Sequence, residues 1–222
     1  MAVTAIVSNH MKYNLAKKLI DLSADSIKVL LMRSGFVFEK DNHAKKINIK
    51  GTITAITLAI SAGLALTDSG SGFITAGFVP GNSVTMSGFT NGGNNCTKII
   101  STVAAGTIVF TSTAGLVAEA AGNSVTVTAE DELATGSGYT KDTKVVTGLA
   151  LAEDDANDRA EASWDNVTWT AAGGSIGPTP GAIFYDDTSA DDTIIGYVNL
   201  GAEETAADGA NFVITNGKFR LL

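Results

Sequence analysis

Gly81-Asn82-Ser83-Val84-Thr85-Met86 (GNSVTM) returns forty-one positions later as Gly122-Asn123-Ser124-Val125-Thr126-Val127 (GNSVTV). The first copy follows a Pro-Gly turn and the second an Ala-Gly turn. Gly-Asn tolerates the positive φ that a tight turn requires, and Val-Thr-Val/Met alternates as a half-buried strand does. Val84 and Met86 are expected to point one way and Thr85 the other, with Val125, Val127 and Thr126 arranged likewise. Neither copy carries a nucleophile, a base or a metal ligand, and the sequence around them does not repeat. The pair therefore reads as two strands of one small β-unit, not as a duplicated ligand loop.

Around these strands, residues 51–129 hold one Lys and two acids, with runs of Ile, Val and Thr broken by the turn signals DSGSG, PGN, TNGGNN, AAG and AAGN. Strands are expected at Thr52–Ala59, Ala62–Asp68, Ser83–Ser87, Thr97–Val103, Thr107–Thr111 and Ser124–Thr128. The flanking sections differ. Residues 1–50 offer a helix through MKYNLAKKLIDL, capped at Ser8-Asn9, and one apolar strand, Ser26–Met32. Residues 130–222 offer strands near Lys144–Leu151, Arg159–Trp164, Val167–Thr170, Gly181–Tyr185, Ile194–Leu200, Asn211–Thr215 and Lys218–Leu222. Asn216-Gly217 predicts a hairpin between the last two, and YDDTSADDTIIGYVNLG another with an acidic tip. A helix and one strand cannot bury a core alone. The expected fold is mainly β: a β-sandwich or barrel body from 1–50 plus 130–222, with one N-terminal helix and a small all-β module (Ig-like or barrel), 51–129, inserted in it.

The chain carries 15 Lys and Arg against 23 Asp and Glu, a net charge of −8, which argues against nucleic-acid binding through a basic face. The charge is segregated: nine basic and four acidic residues in 1–50, five basic and seventeen acidic in 130–222. The plainer reading is a solvated surface; the other is attraction between these two sections in different copies. Lys17, Lys18, Lys40, Lys45 and Lys46 become the candidate partner contacts. One cysteine, Cys96, excludes an internal disulfide and suits a reducing cytoplasm. No secretory leader or membrane span is expected, since the most apolar window, Ile53–Leu66, is short and broken by threonines.

Catalytic and cofactor motifs are not expected. His10 and His43 have no ligand or acid at a working spacing. No GxSxG elbow occurs, and DSGSGF and GSGYTK miss the phosphate-loop spacing. The acidic clusters Glu153–Asp158 and Asp186–Asp192 lack the spacing and central glycine of a calcium loop and read as solubilising or structural tips. Trp164 and Trp169 read as core.

Two stretches carry a resemblance. GSGYT (Gly136–Thr140), the acidic loop, DNVTWT (Asp165–Thr170) and AIFYDDT (Ala182–Thr188) resemble a recurring domain of tailed-bacteriophage virion structural proteins, which usually begins with a helix and strand like AKKLIDLSADSIKVLLMRSGF. DSGSGFITAGFVPGNSVTM through GNSVTVTA is similar to a small β-module found in phage head and tail proteins. The resemblance implies a non-enzymatic virion protein assembled in the host cytoplasm, with no catalytic, metal or cofactor residues to carry over. Its first implied role is capsid decoration (cement), with the major capsid protein and copies of itself, as trimers, for partners. The alternatives are a tail tube or head–tail connector subunit in six-fold rings, and a carbohydrate-binding host-contact module, for which exposed Trp or Tyr on residues 51–129 would speak.

Overall fold

The computed structural model describes residues 4–215 and 218–221. In chain order the elements are β1 (Thr4–Val7), α1 (Asn9–Ala16), β2 (Ile27–Leu31), the short α2 (Ile47–Lys50), β3 (Thr52–Ala55), β4 (Leu58–Ile60), β5 (Leu66–Asp68), β6 (Ser83–Ser87), β7 (Thr97–Ala104), β8 (Thr107–Phe110) and β9 (Val125–Ala129). There follow β10 (Lys144–Val145), β11 (Ala150–Asp154), β12 (Arg159–Ser163), β13 (Val167–Thr170), β14 (Ile176–Asp186), β15 (Ile194–Ala206), β16 (Asn211–Ile214) and β17 (Lys218–Leu221). The chain divides into two compact units: a body from the segments ending at Lys46 and beginning at Glu132, and a module spanning Ile47–Asp131.

In the body, the basic first section and the acidic last section share one sheet, ordered β1-β15-β14-β2-β10 and antiparallel throughout. Its central strands are apolar on both faces. On one face Val29, Leu31, Ala182, Phe184 and Val198 pack against Ala162, Trp164, Val167, Trp169, Phe212 and Phe219 of the opposing strands, which makes the sandwich core. Trp164 lies 4.6 Å from Phe184 and 5.0 Å from Phe219, ring centre to ring centre. On the other face Leu30, Ile183, Tyr185 and Tyr197 are buried, with Phe36, Phe38 and His43 of the 33–46 segment stacked around Tyr197. Burial on both sides is why Val29–Met32 reads as a continuous apolar run rather than an alternating one.

The opposing layer corrects one sequence reading. FVIT and KFRLL do not form a hairpin with each other: β16 pairs with β13 and β17 with β12. Both pairings follow one register, Ala160 opposite Leu221 and Val167 opposite Ile214. The Asn216-Gly217 turn itself lies outside the described residues. The acidic-tipped hairpin is formed by β14 and β15 as read.

The N-terminal helix is shorter than its pattern. It stops at Ala16 because Lys18 takes a left-handed conformation (φ 59°); the Leu19 N–H then bonds to Asn14 O and the Lys18 N–H to Leu15 O. That is the Schellman arrangement, with lysine where glycine is usual. Leu19, on the expected apolar stripe, is consequently 60 % exposed, while Ile20 and Leu22 are buried. Ser8 makes no side-chain cap; its hydroxyl points to the His43 carbonyl.

The module is one seven-stranded antiparallel sheet, β3-β9-β6-β7-β8-β5-β4. β7 joins its halves, pairing first with β6 and then with β8 across a bulge between Ile100 and Thr102. Residues from both halves (Val84, Met86, Val125 and Val127; Leu58, Ile60, Leu66, Ile108 and Phe110) enter a single core, so the sheet must curl around it. The two GNSVT segments are adjacent partners, with Val84 opposite Ala129 and Met86 opposite Val127. Val84, Met86, Val125 and Val127 are all buried, as their alternation predicts.

The Thr52–Ala59 run is split, because the chain turns at Ile56-Thr57 and the Thr57 hydroxyl bonds to Asp68 at 2.6 Å. The Ala62–Asp68 strand shortens to its last three residues, since Ser61–Ala65 form a turn closed by the Ser61 hydroxyl. The unit also reaches beyond 51–129. Buried Asp131 accepts hydrogen bonds from Asn82 Nδ2 (2.7 Å) and the Ser83 N–H (3.0 Å), and Asn82 Nδ2 also donates to Asn48 O (2.7 Å).

Candidate functional site

The densest polar chemistry of the body lies at the tip of the β14–β15 hairpin. Asp186 builds the turn: its Oδ1 accepts the N–H groups of Thr188 (2.8 Å) and Ser189 (3.1 Å), and the Ser189 hydroxyl donates to Asp186 O (3.0 Å). The remaining carboxylates face basic groups of the first section. Lys28 meets Asp187 at 2.8 Å, Lys45 meets Asp191 at 3.1 Å, and Lys46 meets Asp192 at 3.0 Å and Asp142 at 3.6 Å. The Lys46 ammonium also sits 4.5 Å from the Tyr185 ring centre, and the Tyr185 hydroxyl donates to Asp142. His10 Nε2 joins Asp191 at 2.9 Å, and buried Asn14 donates to Thr193 Oγ1. Burial opposes ionisation of Asp191, but bonds from Thr193, His10 and Lys45 outweigh it and hold the carboxyl at about 2. Lys28 holds Asp187 below its ordinary value.

The basic groups of the first section and the acidic groups of the last thus pair within one chain. Lys45 and Lys46, two of the five candidate contacts, are half-buried in this network. Each such pair near the surface contributes ~0.2–1 kcal/mol, so their joint effect is to fix the tip in place. Lys17, Lys18 and Lys40 are exposed. Lys17 lies 4.7 Å above the Tyr13 ring, Lys18 ends α1, and the Lys40 carbonyl accepts the Asn9 N–H. With Tyr13 (53 % exposed) and Leu19, Lys17 and Lys18 give the end of α1 a basic and apolar surface.

The other motifs serve the fold. In DSGSG the amides of Gly70 and Gly72 are taken by the Asp68 carboxylate at 2.9 and 2.8 Å, so the loop satisfies itself where a phosphate loop leaves amides open. In GSGYT, Gly138 has φ +87° and a Cβ there would meet Thr170 O at 2.1 Å, a position only glycine fills. Next to it the buried Tyr139 hydroxyl donates to Glu132 (2.7 Å) and accepts the Leu31 N–H (3.1 Å); burial, and then the Glu132 charge, raise its pKa. His43 is 1 % exposed. Burial lowers its pKa to about 4, and Nδ1 accepts the Glu39 N–H, a bond that only the unprotonated nitrogen makes.

Two features had no clear sequence signal. Glu161 gathers Lys218 (2.5 Å), Arg220 (3.1 Å) and Arg159 (2.8 Å), and the first two hold its pKa at about 2. Alternation in RAEAS and KFRL hints at a shared face, but their pairing is visible only in space. A groove of about 300 Å³, lined by Leu200, Glu204, Ala206, Phe212 and Ile214 among others, opens where β15 and β16 diverge. Among the described residues no three His, Cys, Asp or Glu side chains are grouped to hold a metal, and no helix is long and apolar enough to cross a membrane.

No protein-family model, curated protein or solved structure matches the chain.

Proposed function

We propose that the chain is a non-enzymatic structural protein of the tailed-phage virion, acting as a capsid decoration protein that binds the shell and copies of itself. The observation that carries this reading is the use to which the resembling residues are put. Gly138 makes an obligatory close approach, and Tyr139 ties β2 to the 132–142 segment. Val167 and Trp169 fill the core, Ala182 and Tyr185 are fully buried, and Asp186 folds the hairpin tip. Such residues define a scaffold, which is what a building block shares with its kind when chemistry is not its task.

Contact with a partner falls on Lys17, Lys18 and Lys40, because Lys45 and Lys46 serve the body's own hairpin. Repetition over many copies lets a modest interface suffice. The excess of acidic residues in 130–222 also suits a tube or connector subunit whose lumen must not hold DNA. The carbohydrate reading finds no support in the module, whose Phe73, Phe78, Phe89 and Phe110 are all buried and which has no Trp or Tyr.

Sedimentation of the purified chain, alone and with particles stripped of it, tests the proposal. Trimers that rebind the shell are expected. Six-membered rings would move the protein to the tail, and a monomer that ignores particles would overturn the reading.

A further inference from the structure

On the face of β2 and β14 opposite the Lys28–Asp187 pair, two carboxyl groups meet without a cation between them. Asp186 stands opposite Ile27 in the β14–β2 ladder, the Asp187 N–H donates to Ser26 O (2.9 Å), and the Ser26 N–H donates to Thr188 Oγ1 (2.8 Å). Asp25 lies in the bend just before β2, next to Ser26, and its carboxyl bears on the Asp186 carboxyl. Asp186 is 0 % exposed. Its Oδ1 is occupied by the amides of Thr188 and Ser189, and its Oδ2 has no hydrogen-bond partner. Asp25 is half-buried, and its Oδ2 accepts the Asp21 N–H at 2.6 Å. The Asp21 carboxylate accepts from Ser23, and Lys28 is engaged by Asp187.

A buried carboxylate oxygen with no donor, facing a second carboxylate, is costly unless positive charge comes between them. Burial first, then Asp25, pushes the Asp186 carboxyl up to about 6, against the pull of the two amides.

We propose that Asp25 and Asp186 bind a divalent cation of the calcium type, with Asp186 Oδ2 as the inner ligand and Asp25 at the solvent side. Water and backbone carbonyls complete the shell, since no third acidic side chain or histidine is grouped with the pair among the described residues. Calcium suits this irregular oxygen set better than magnesium, which demands a near-ideal octahedron and keeps its waters. With only two charged ligands the affinity falls on the order of 10⁻⁴–10⁻³ M. The cation would fasten the hairpin tip, because the same Asp186 holds Thr188 and Ser189. The inference does not depend on the virion reading.

The test is urea unfolding of the full chain at pH 7.5 in EDTA, in calcium chloride and in magnesium chloride, followed by the fluorescence of Trp164 and Trp169. Calcium at ten times its Kd should lower the unfolding constant about tenfold. Asp186→Asn and Asp25→Asn should abolish that dependence, as should pH 4.5, where protons compete for the pair. The half-exposed Asp25 variant keeps the comparison usable if the buried one does not fold. No calcium dependence in the unaltered chain at pH 7.5, or an equal dependence in Asp25→Asn, overturns the proposal; a stability that follows pH but ignores calcium assigns the pair to a shared proton.

Discussion

His43→Asn should change how the body responds to acid. The imidazole is enclosed by Phe36 (5.1 Å between ring centres), by Phe38 (5.5 Å) and by the segment that stacks on Tyr197, and Nδ1 accepts the Glu39 N–H at 2.9 Å. Burial lowers its pKa from 6.5 to about 4. Between those values the unfolded chain binds the proton and the folded one refuses it. His43 thus contributes its full stability above pH 6.5, and that contribution is lost as the pH falls toward 4. At about 1.4 kcal/mol for each pH unit, the loss reaches about 3 kcal/mol.

Asparagine offers Oδ1 where Nδ1 stood and does not titrate. It forfeits ring contacts, a cost of about 2 kcal/mol at neutral pH. Urea unfolding from pH 7.5 to 4 is followed by tryptophan fluorescence, which reports the body alone because both tryptophans lie there. Asp186 titrates with the opposite sign but is common to both chains and cancels in their difference. The difference between native and variant should change by about 3 kcal/mol on acidification, passing through zero and reversing sign. A gap that stays constant would refute the account of His43.

The two GNS turns should respond unequally. Asn82→Ala removes the acceptor of the Val79 N–H and a donor to Asp131 and Asn48, costing the module about 2–4 kcal/mol. Asn123→Ala, whose side chain meets Thr90 and Glu119 nearer the surface, should cost about 1 kcal/mol or less. Hydrogen exchange of the β6 and β9 amides reads both. Gly138→Ala should destabilise the body by about 3 kcal/mol or more, or stop it folding, while Gly122→Ala, with open space around its Cβ, should give a much smaller fall in melting temperature. Lys46→Ala should loosen the hairpin tip, seen as faster exchange of the Thr188 and Ser189 amides. Glu substitutions at Lys17 and Lys18, which close α1, should cost about 1–2 kcal/mol through the helix dipole, leave the body folded and weaken particle binding.

What the sequence disclosed followed physical range. The alternation in GNSVTM and GNSVTV is a period-two pattern set by one pleat, so the buried and exposed residues of β6 and β9 were readable directly. The apolar run at Val29–Met32 likewise announced a central strand. Asn216-Gly217 misled because a turn signal speaks only for its neighbours. Phe212 and Phe219 instead pair with β13 and β12 and pack against Trp169 and Trp164, and packing outweighed local propensity. α1 ended early for a comparable reason: nothing in AKKLIDL marks Lys18 as left-handed, yet the burial of Ile20 and Leu22 requires the chain to leave the helix there. The candidate contacts were the hardest to judge. Lys45 and Lys46 look as exposed in sequence as Lys17 and Lys18, and only the return of Asp191 and Asp192, some 146 residues later, shows that they are spoken for.

The most direct test of the virion assignment is cryo-electron microscopy of purified particles, with this chain located in the density. The account predicts density over the shell at three-fold or quasi-three-fold positions, with the end of α1 and its Lys17 and Lys18 against the capsid surface. Density stacked in six-fold rings along the tail would contradict the decoration role, and particles that lack the chain altogether would contradict the assignment itself.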